Sequence, residues 1–186
     1  MSGQVSGSTP PAPPEDHVPS FADLGLHPDL LRAVRAMGFE RPTPIQVRAI
    51  PPILAGRDVV GCAQTGTGKT AAFILPILHR LLGEGPGRGN VRALVVAPTR
   101  ELALQSAEHL KALSRYVPVL GAAIFGGVPM DYQIRALAQG VEIVSATPGR
   151  LLDHIYNGRV DFVDIEVFVL DEVDRMLDMG FLPDMQ

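Results

Sequence analysis

Residues Ala63-Gln64-Thr65-Gly66-Thr67-Gly68-Lys69-Thr70 constrain the fold of this chain more than any other stretch. The apolar run Asp58-Val59-Val60-Gly61-Cys62 leads into them, and a helix-like segment from Ala71 to Leu82 follows. Glycines in a strand-to-helix turn let backbone N–H groups approach phosphate oxygens, and the new helix turns its positive end toward them. Thr65, Gly66, Thr67 and Gly68 supply that cradle, Lys69 reaches the β- and γ-phosphates, and the Thr70 hydroxyl ligates Mg²⁺. The general pattern has Gly where this chain has Ala63, so an ordinary Gly-rich β-to-α turn stays open as a second reading.

A matching half-site lies about a hundred residues on. Val167-Phe168-Val169-Leu170 is a β-branched and aromatic run that ends in Asp171-Glu172-Val173-Asp174. A buried strand that delivers acids at its C-terminal edge puts them where open α/β sheets bind ligands. Asp171 is then placed to hold Mg²⁺ and Glu172 to orient or deprotonate an attacking water. The same acids also suit a helix N-terminus.

Taken in order, these stretches resemble the first RecA-like domain of the DEAD-box ATP-dependent RNA helicases. Gly38-Phe39-Glu40-Arg41-Pro42-Thr43-Pro44-Ile45-Gln46 is similar to that family's adenine-reading motif, with the isolated Phe21 upstream. Ala97-Pro98-Thr99-Arg100-Glu101-Leu102-Ala103, Gly126-Gly127 and Thr147-Pro148-Gly149-Arg150 are similar to its RNA-contacting motifs. The resemblance runs over residues 20–186 and departs at Val173, where the family has Ala.

The resemblance implies ATP and Mg²⁺ as cofactors, with Lys69, Asp171 and Glu172 catalytic and Thr70 and Asp171 at the metal. It implies that Gln46 reads adenine and that Phe39 stacks on it beside Phe21. Gln46 suits that task chemically, because its amide donates and accepts at once, as adenine's edge requires. Pro98, Thr99, Arg100, Gly126, Gly127, Thr147, Gly149 and Arg150 are implied to contact RNA, and Asp174 to face a second domain. Gly126, Gly127 and Gly149 admit a sugar–phosphate backbone closely, although ordinary turns use glycine too. Surface ion pairs, for instance Arg100 with Glu101 or Glu108, are the competing reading of the arginines. Contacts of this kind go to the nucleic-acid backbone, so binding is expected to be independent of base sequence and sensitive to salt.

Strand–helix alternation organises the rest. Helices are expected over 28–37, from Pro44 behind a Thr43 cap to a break or kink at Pro51-Pro52, and over 69–82, 100–113, 130–138 and 148–156, with one more from about 172. Strands are expected over 57–62, 92–97, 118–125, 141–146 and 165–170. Such alternation predicts an α/β fold with a parallel sheet covered on both faces; the resemblance makes it a RecA-like phosphate-loop domain. Residues 1–19, rich in Ser, Gly and Pro, are expected to be disordered, and Gly83–Asn90 to be a mobile loop. The resemblance implies a further strand between 57–62 and 165–170 and a second RecA-like domain, neither found in these 186 residues. The expected consequence is a gap between those two strands and a polypeptide prone to aggregate.

Composition narrows the partners. Net charge is −4, but eight acids and one base lie from Asp161 onward, leaving 15 bases against 12 acids elsewhere. Nucleic acid therefore stays compatible with an acidic chain. No apolar run approaches the ~18 residues of a membrane span, and no basic-then-apolar leader opens the chain. A cytoplasmic, monomeric protein is expected. The single Cys62 excludes an internal disulfide and is read as a small core residue. Two other readings remain: another phosphate-loop NTPase such as a DNA helicase, and a non-catalytic RNA-binding or interaction module.

Overall fold

Short apolar runs pair into a four-stranded parallel sheet of order β2-β3-β1-β4, comprising β1 (Ala93–Val96), β2 (Gly121–Ile124), β3 (Ile143–Ala146) and β4 (Val167–Leu170). Ala93 lies opposite Ile143 on one side and Val167 on the other, and Gly121 lies opposite Ile143. The computed structural model describes residues 19–83, 90–160 and 163–181.

The helices are α1 (Pro28–Ala36), α2 (Pro44–Leu54), α3 (Lys69–Gly83), α4 (Arg100–Leu113), α5 (Met130–Leu137), α6 (Pro148–Tyr156) and α7 (Val173–Asp178), with a 3₁₀ turn at Phe21–Leu24. Their starts follow the local chemistry. Proline stands in the first turn of α1, α2 and α6, where a missing N–H costs nothing. Thr99 caps α4 by accepting from the Leu102 N–H.

Alternation along the strands builds two cores. Ala93, Val95 and Ile143 face one side and pack with Leu30, Leu75, Leu78 and Leu110 of α1, α3 and α4. Leu94, Val96, Val144 and Ala146 face the other and pack with Leu151 of α6 and Met176 of α7. Both faces are covered, so the central strands β1 and β3 are buried along their whole length and apolar but for Ser145, rather than alternating. Burying each leucine such as Leu75 or Leu78, fully hidden here, contributes about 1.5–3 kcal/mol. Gly121 lets α4 lie close on β2, because a Cβ there would run into the Leu110 side chain.

Polar staples close the opposite end of the sheet from the site. Arg92 is buried and donates from Nε to Glu166 at 2.6 Å and from Nη1 to Glu142 at 3.2 Å. Arg80 of α3 reaches the same Glu166 at 3.3 Å.

Three expectations are corrected. Residues 57–62 form no strand among the described residues; they run as exposed coil, with Val60 96 % exposed. A strand exists only by pairing, and the free edge of β4, where they would be sought, carries no ladder to them. Cys62 is accordingly exposed rather than a core residue. Of the break or kink expected at Pro51-Pro52, the break does not occur: helix α2 runs through both to Leu54 and closes with Ala55 N–H donating to the Pro51 carbonyl and Arg57 N–H to that of Pro52. Proline deletes donors to the preceding turn, yet its own carbonyl still accepts, so a last turn can be built on it. The expectations for residues 1–18 and for most of the 83–90 loop lie outside the described residues. No described helix is long and apolar enough to cross a membrane.

Candidate active site

A cavity of about 380 Å³ opens at the C-terminal end of β4, between the start of α3 and the α2 N-terminus. Its wall contains Thr65, Gly66, Gly68, Lys69 and Thr70 from the glycine turn, Asp171 and Glu172 from the end of β4, and Phe39 and Gln46 from the α2 region. The two half-sites read from sequence, separated by a hundred residues, therefore meet in one place.

The turn has the backbone its glycines imply. Gly66 and Gly68 adopt φ of +80° and +88°, a region that L side chains rarely occupy. Gly68 is doubly required, because a Cβ there would lie 2.5 Å from Gln46 Nε2. Thr67 does not line the cavity; its hydroxyl donates to the Gln64 carbonyl at 2.6 Å and ties the turn to itself.

The acids occupy an unusual piece of chain. Asp171 continues the sheet by donating its N–H to the Val96 carbonyl at 2.9 Å. Glu172 then adopts φ 52° and ψ 50°, the only non-glycine residue with positive φ among those described. A strained residue of this kind persists only where its surroundings hold it, and such residues cluster at functional sites. Glu172 stands at the N-cap position of α7 but makes no capping hydrogen bond. Its carboxylate instead lies 4.0 Å from Lys69 Nζ and 3.9 Å from Arg175 Nη1. The acids thus do stand at a helix terminus, and Glu172 lines the cavity as well. Burial holds the Asp171 carboxyl above the usual carboxylate range, Lys69 opposes that, and Glu172 adds to it.

Gln46 is buried, which removes the reading of an exposed helix residue. Its Oε1 accepts from the Thr43 N–H at 2.9 Å and its Nε2 donates to the Gly68 carbonyl at 3.0 Å. One N–H and one lone pair of the amide remain for a ligand. Phe39 lines the cavity, whereas Phe21 lies behind it in the core, the rings stacked at 6.5 Å.

The residues singled out for nucleic acid divide. Arg100 is exposed, with its guanidinium 4.8 Å above the Phe125 ring and no ion pair to Glu101 or Glu108. Gly126, Gly127 and Gly149 are exposed. Gly127 has φ +82° and needs glycine, but Gly126 and Gly149 have ordinary φ and open space where a Cβ would stand. Nothing inside the fold demands glycine at those two positions. Pro98 is buried, Thr99 serves as the α4 cap, and Thr147 is half-buried at the α6 start. Arg150 is mostly buried: Nη1 donates to the Val128 carbonyl at 2.9 Å and Nε lies 3.5 Å from Asp153. Asp174 is exposed, accepting from the Arg175 N–H.

Sequence reasoning missed one wall. Arg41 and, from α4, Leu102, Gln105, Ser106 and His109 also line the cavity. Arg41 sits inside a motif already singled out, but the α4 residues carry no local signal; packing of α4 against α3 alone brings them there.

A parallel α/β sheet carrying a glycine phosphate loop and two acids at one strand end defines a phosphate-loop nucleotide-binding domain. The chain belongs to the DEAD/DEAH box helicase family, whose profile matches residues 43–186. It is 49% identical over 168 residues to the ATP-dependent RNA helicase DeaD of Escherichia coli (strain K12), covering 90% of this chain and 26% of the relative. It is 45% identical over 182 residues to the DEAD-box ATP-dependent RNA helicase RhpA of Helicobacter pylori (strain B128), covering 95% and 36% respectively. It is 47% identical over 166 residues to the ATP-dependent RNA helicase CshA of Limosilactobacillus reuteri, covering 89% and 33%. The chain thus spans between a quarter and about a third of these relatives' length.

Proposed function

We propose that this chain is the ATP- and RNA-binding module of an ATP-dependent RNA helicase, in which ATP binding and hydrolysis are coupled to local opening of RNA duplexes. One observation carries the reading: Lys69, Thr70, Asp171 and Glu172 converge on one cavity that Gln46 and Phe39 also line. The relatives named above are all ATP-dependent RNA helicases, which supports it.

The residues divide the work. Lys69 and the N–H groups of the Gly66–Thr70 turn hold the nucleotide phosphates, and Phe39 and Gln46 receive the adenine. The Thr70 hydroxyl and Asp171 carboxylate are hard oxygen donors on the same cavity, fit Mg²⁺ and would hold it there. A burial-strained carboxyl such as Asp171 also gains from a nearby cation. Bound Mg²⁺ supplies charge neutralisation at the phosphates. Glu172, held toward the cavity, positions the attacking water and takes its proton. Arg100 and the exposed Gly126, Gly127 and Gly149 meet the RNA backbone, so binding is independent of base sequence and weakens with salt. Glycines at 126 and 149 that the fold does not require support that surface.

The test separates binding from chemistry. With a fluorescent ADP analogue, Lys69→Ala loses binding, whereas Glu172→Gln binds within about threefold of the parent. With RNA and Mg²⁺ in the longest natural form of the protein, Glu172→Gln abolishes turnover. Normal turnover in Glu172→Gln overturns the assignment of the base, and tight nucleotide binding by Lys69→Ala overturns the site.

A further inference from the structure

A buried polar chain runs beneath the Gly126-Gly127 loop and none of the nucleotide chemistry uses it. Gln133 of α5 and His154 of α6 are 5 % and 0 % exposed. Gln133 Nε2 donates to the Phe125 carbonyl at 2.8 Å, and His154 Nε2 meets Gln133 Oε1 at 3.0 Å. Gln133 has its N–H on the carbonyl, so its oxygen accepts and His154 Nε2 carries the proton. His154 Nδ1 is then left without a partner among the described residues. Burial holds the ring's pKa below its ordinary value, so the ring stays neutral.

The sheet explains why the chain is needed. Ile124 is the last residue of β2, and its carbonyl accepts from the Thr147 N–H at 2.9 Å. Carbonyls alternate in direction along a strand, so the next one, that of Phe125, turns away from β3 to the outer edge of the sheet, where β2 has no neighbouring strand among the described residues. Gln133 supplies the partner, from a helix rather than from the sheet. Three residues on, the Val128 carbonyl accepts from Arg150 Nη1 at 2.9 Å. Both ends of the Phe125–Val128 turn are therefore held by side chains of α5 and α6, while the two glycines between stay exposed. Burying two polar side chains with one nitrogen unsatisfied is costly. An apolar pair would serve packing alone at least as well, so packing alone does not account for Gln133 and His154.

We propose that Gln133 and His154 are positioning residues of the RNA surface: His154 fixes the Gln133 amide, and Gln133 sets the orientation of the Gly126-Gly127 peptides toward the RNA backbone. The RNA part rests on the reading given under Proposed function; the ordering of the turn does not.

Four proteins decide it: the parent chain, Gln133→Met, His154→Phe and the double variant. For each, affinity for a labelled oligouridylate and for a fluorescent ADP analogue is measured, with amide hydrogen exchange over residues 124–130. Gln133→Met is expected to weaken RNA binding about tenfold, the scale of one lost oriented contact, with ADP binding within about twofold and faster exchange in the turn. His154→Phe is expected to weaken RNA binding less, and to add nothing in the Gln133→Met background because it acts through that amide. His154→Gln, which returns an amide donor, restores part of the loss and serves also where His154→Phe folds poorly. Additive losses in the double variant, parallel loss of ADP binding, or unchanged RNA binding and exchange in Gln133→Met overturn the proposal. If the parent binds no RNA, the RNA reading fails, and exchange over 124–130 alone decides whether the pair orders the turn.

Discussion

Gln46 Nε2 donates to the Gly68 carbonyl oxygen at 3.0 Å, joining the first turn of α2 to the phosphate loop across 22 residues of sequence. The same amide closes the α2 N-terminus through the Thr43 N–H at 2.9 Å. A residue assigned to base recognition is therefore also a strut of the phosphate site, and loss of its amide disturbs both.

Gln46→Ala is expected to weaken binding of a fluorescent ADP analogue by at least about tenfold, or ~1.4 kcal/mol. The parent is expected to prefer ATP to GTP. Glu101→Ala, an exposed change outside the cavity wall, leaves binding within about twofold. Equal affinity of the parent for ATP and GTP removes base recognition from Gln46 and leaves it the strut alone.

Arg92 predicts a large stability effect far from the site. Its side chain and that of Glu142 are 9 % and 7 % exposed and lie 3.2 Å apart. Arg92→Leu leaves Glu142 charged and buried, and is expected to cost about 3–5 kcal/mol. The double variant Arg92→Leu, Glu142→Leu should recover much of that, because the buried Glu142 charge is gone and Glu166, which also loses Arg92, is partly exposed and keeps Arg80 at 3.3 Å. Denaturant midpoints measure both, and a double variant no better than Arg92→Leu contradicts the ion-pair account.

Acid should destabilise the domain through two histidines. His79 Nδ1 accepts from the His27 N–H at 3.1 Å, which requires the unprotonated nitrogen. Burial, and then the nearby His27, hold its pKa below the ordinary value. Burial does the same for His154. The unfolded chain takes up these protons as pH falls through about 6.5, before the folded one does. The stabilisation is thus fully present above that value and declines below it. Unfolding free energy measured from about pH 7.5 down to about pH 5.5 should fall less steeply for His79→Asn than for the parent. Parallel curves for the two proteins would count against His79.

The outer edge of β4 predicts association. Among the described residues strand β4 pairs only with β1, and Phe168 and Leu170 are 55 % and 38 % exposed on the face whose counterparts in β1 are buried. An unpaired edge with apolar side chains templates further pairing. Light scattering on the 186-residue chain should show self-association that Phe168→Lys reduces. A mass distribution that Phe168→Lys leaves unchanged assigns the association elsewhere.

Local chemistry by itself determined much of this protein. Proline and capping signals place the starts of α2, α4 and α6, and α4 and α6 span the residues their periodicity predicts, Arg100–Leu113 and Pro148–Tyr156. The phosphate turn is likewise a local pattern, because positive φ at Gly66 and Gly68 needs only glycine there, and the acidic end of β4 is legible as an apolar run stopping at Asp171, although the strand itself depends on its pairing with β1. Only the tertiary structure decided whether 57–62 becomes a strand, since a strand is a property of its partner and residues 57–62 have no partner among those described. It alone made Gln46 a strut, turned Arg150 inward to Val128, and brought the α4 side chains Gln105 and His109 to the cavity. The Gln133–His154 pair belongs there too: each looks like an ordinary helix residue in sequence, and their meaning comes from the Phe125 carbonyl, which faces the outer edge of the sheet just past β2.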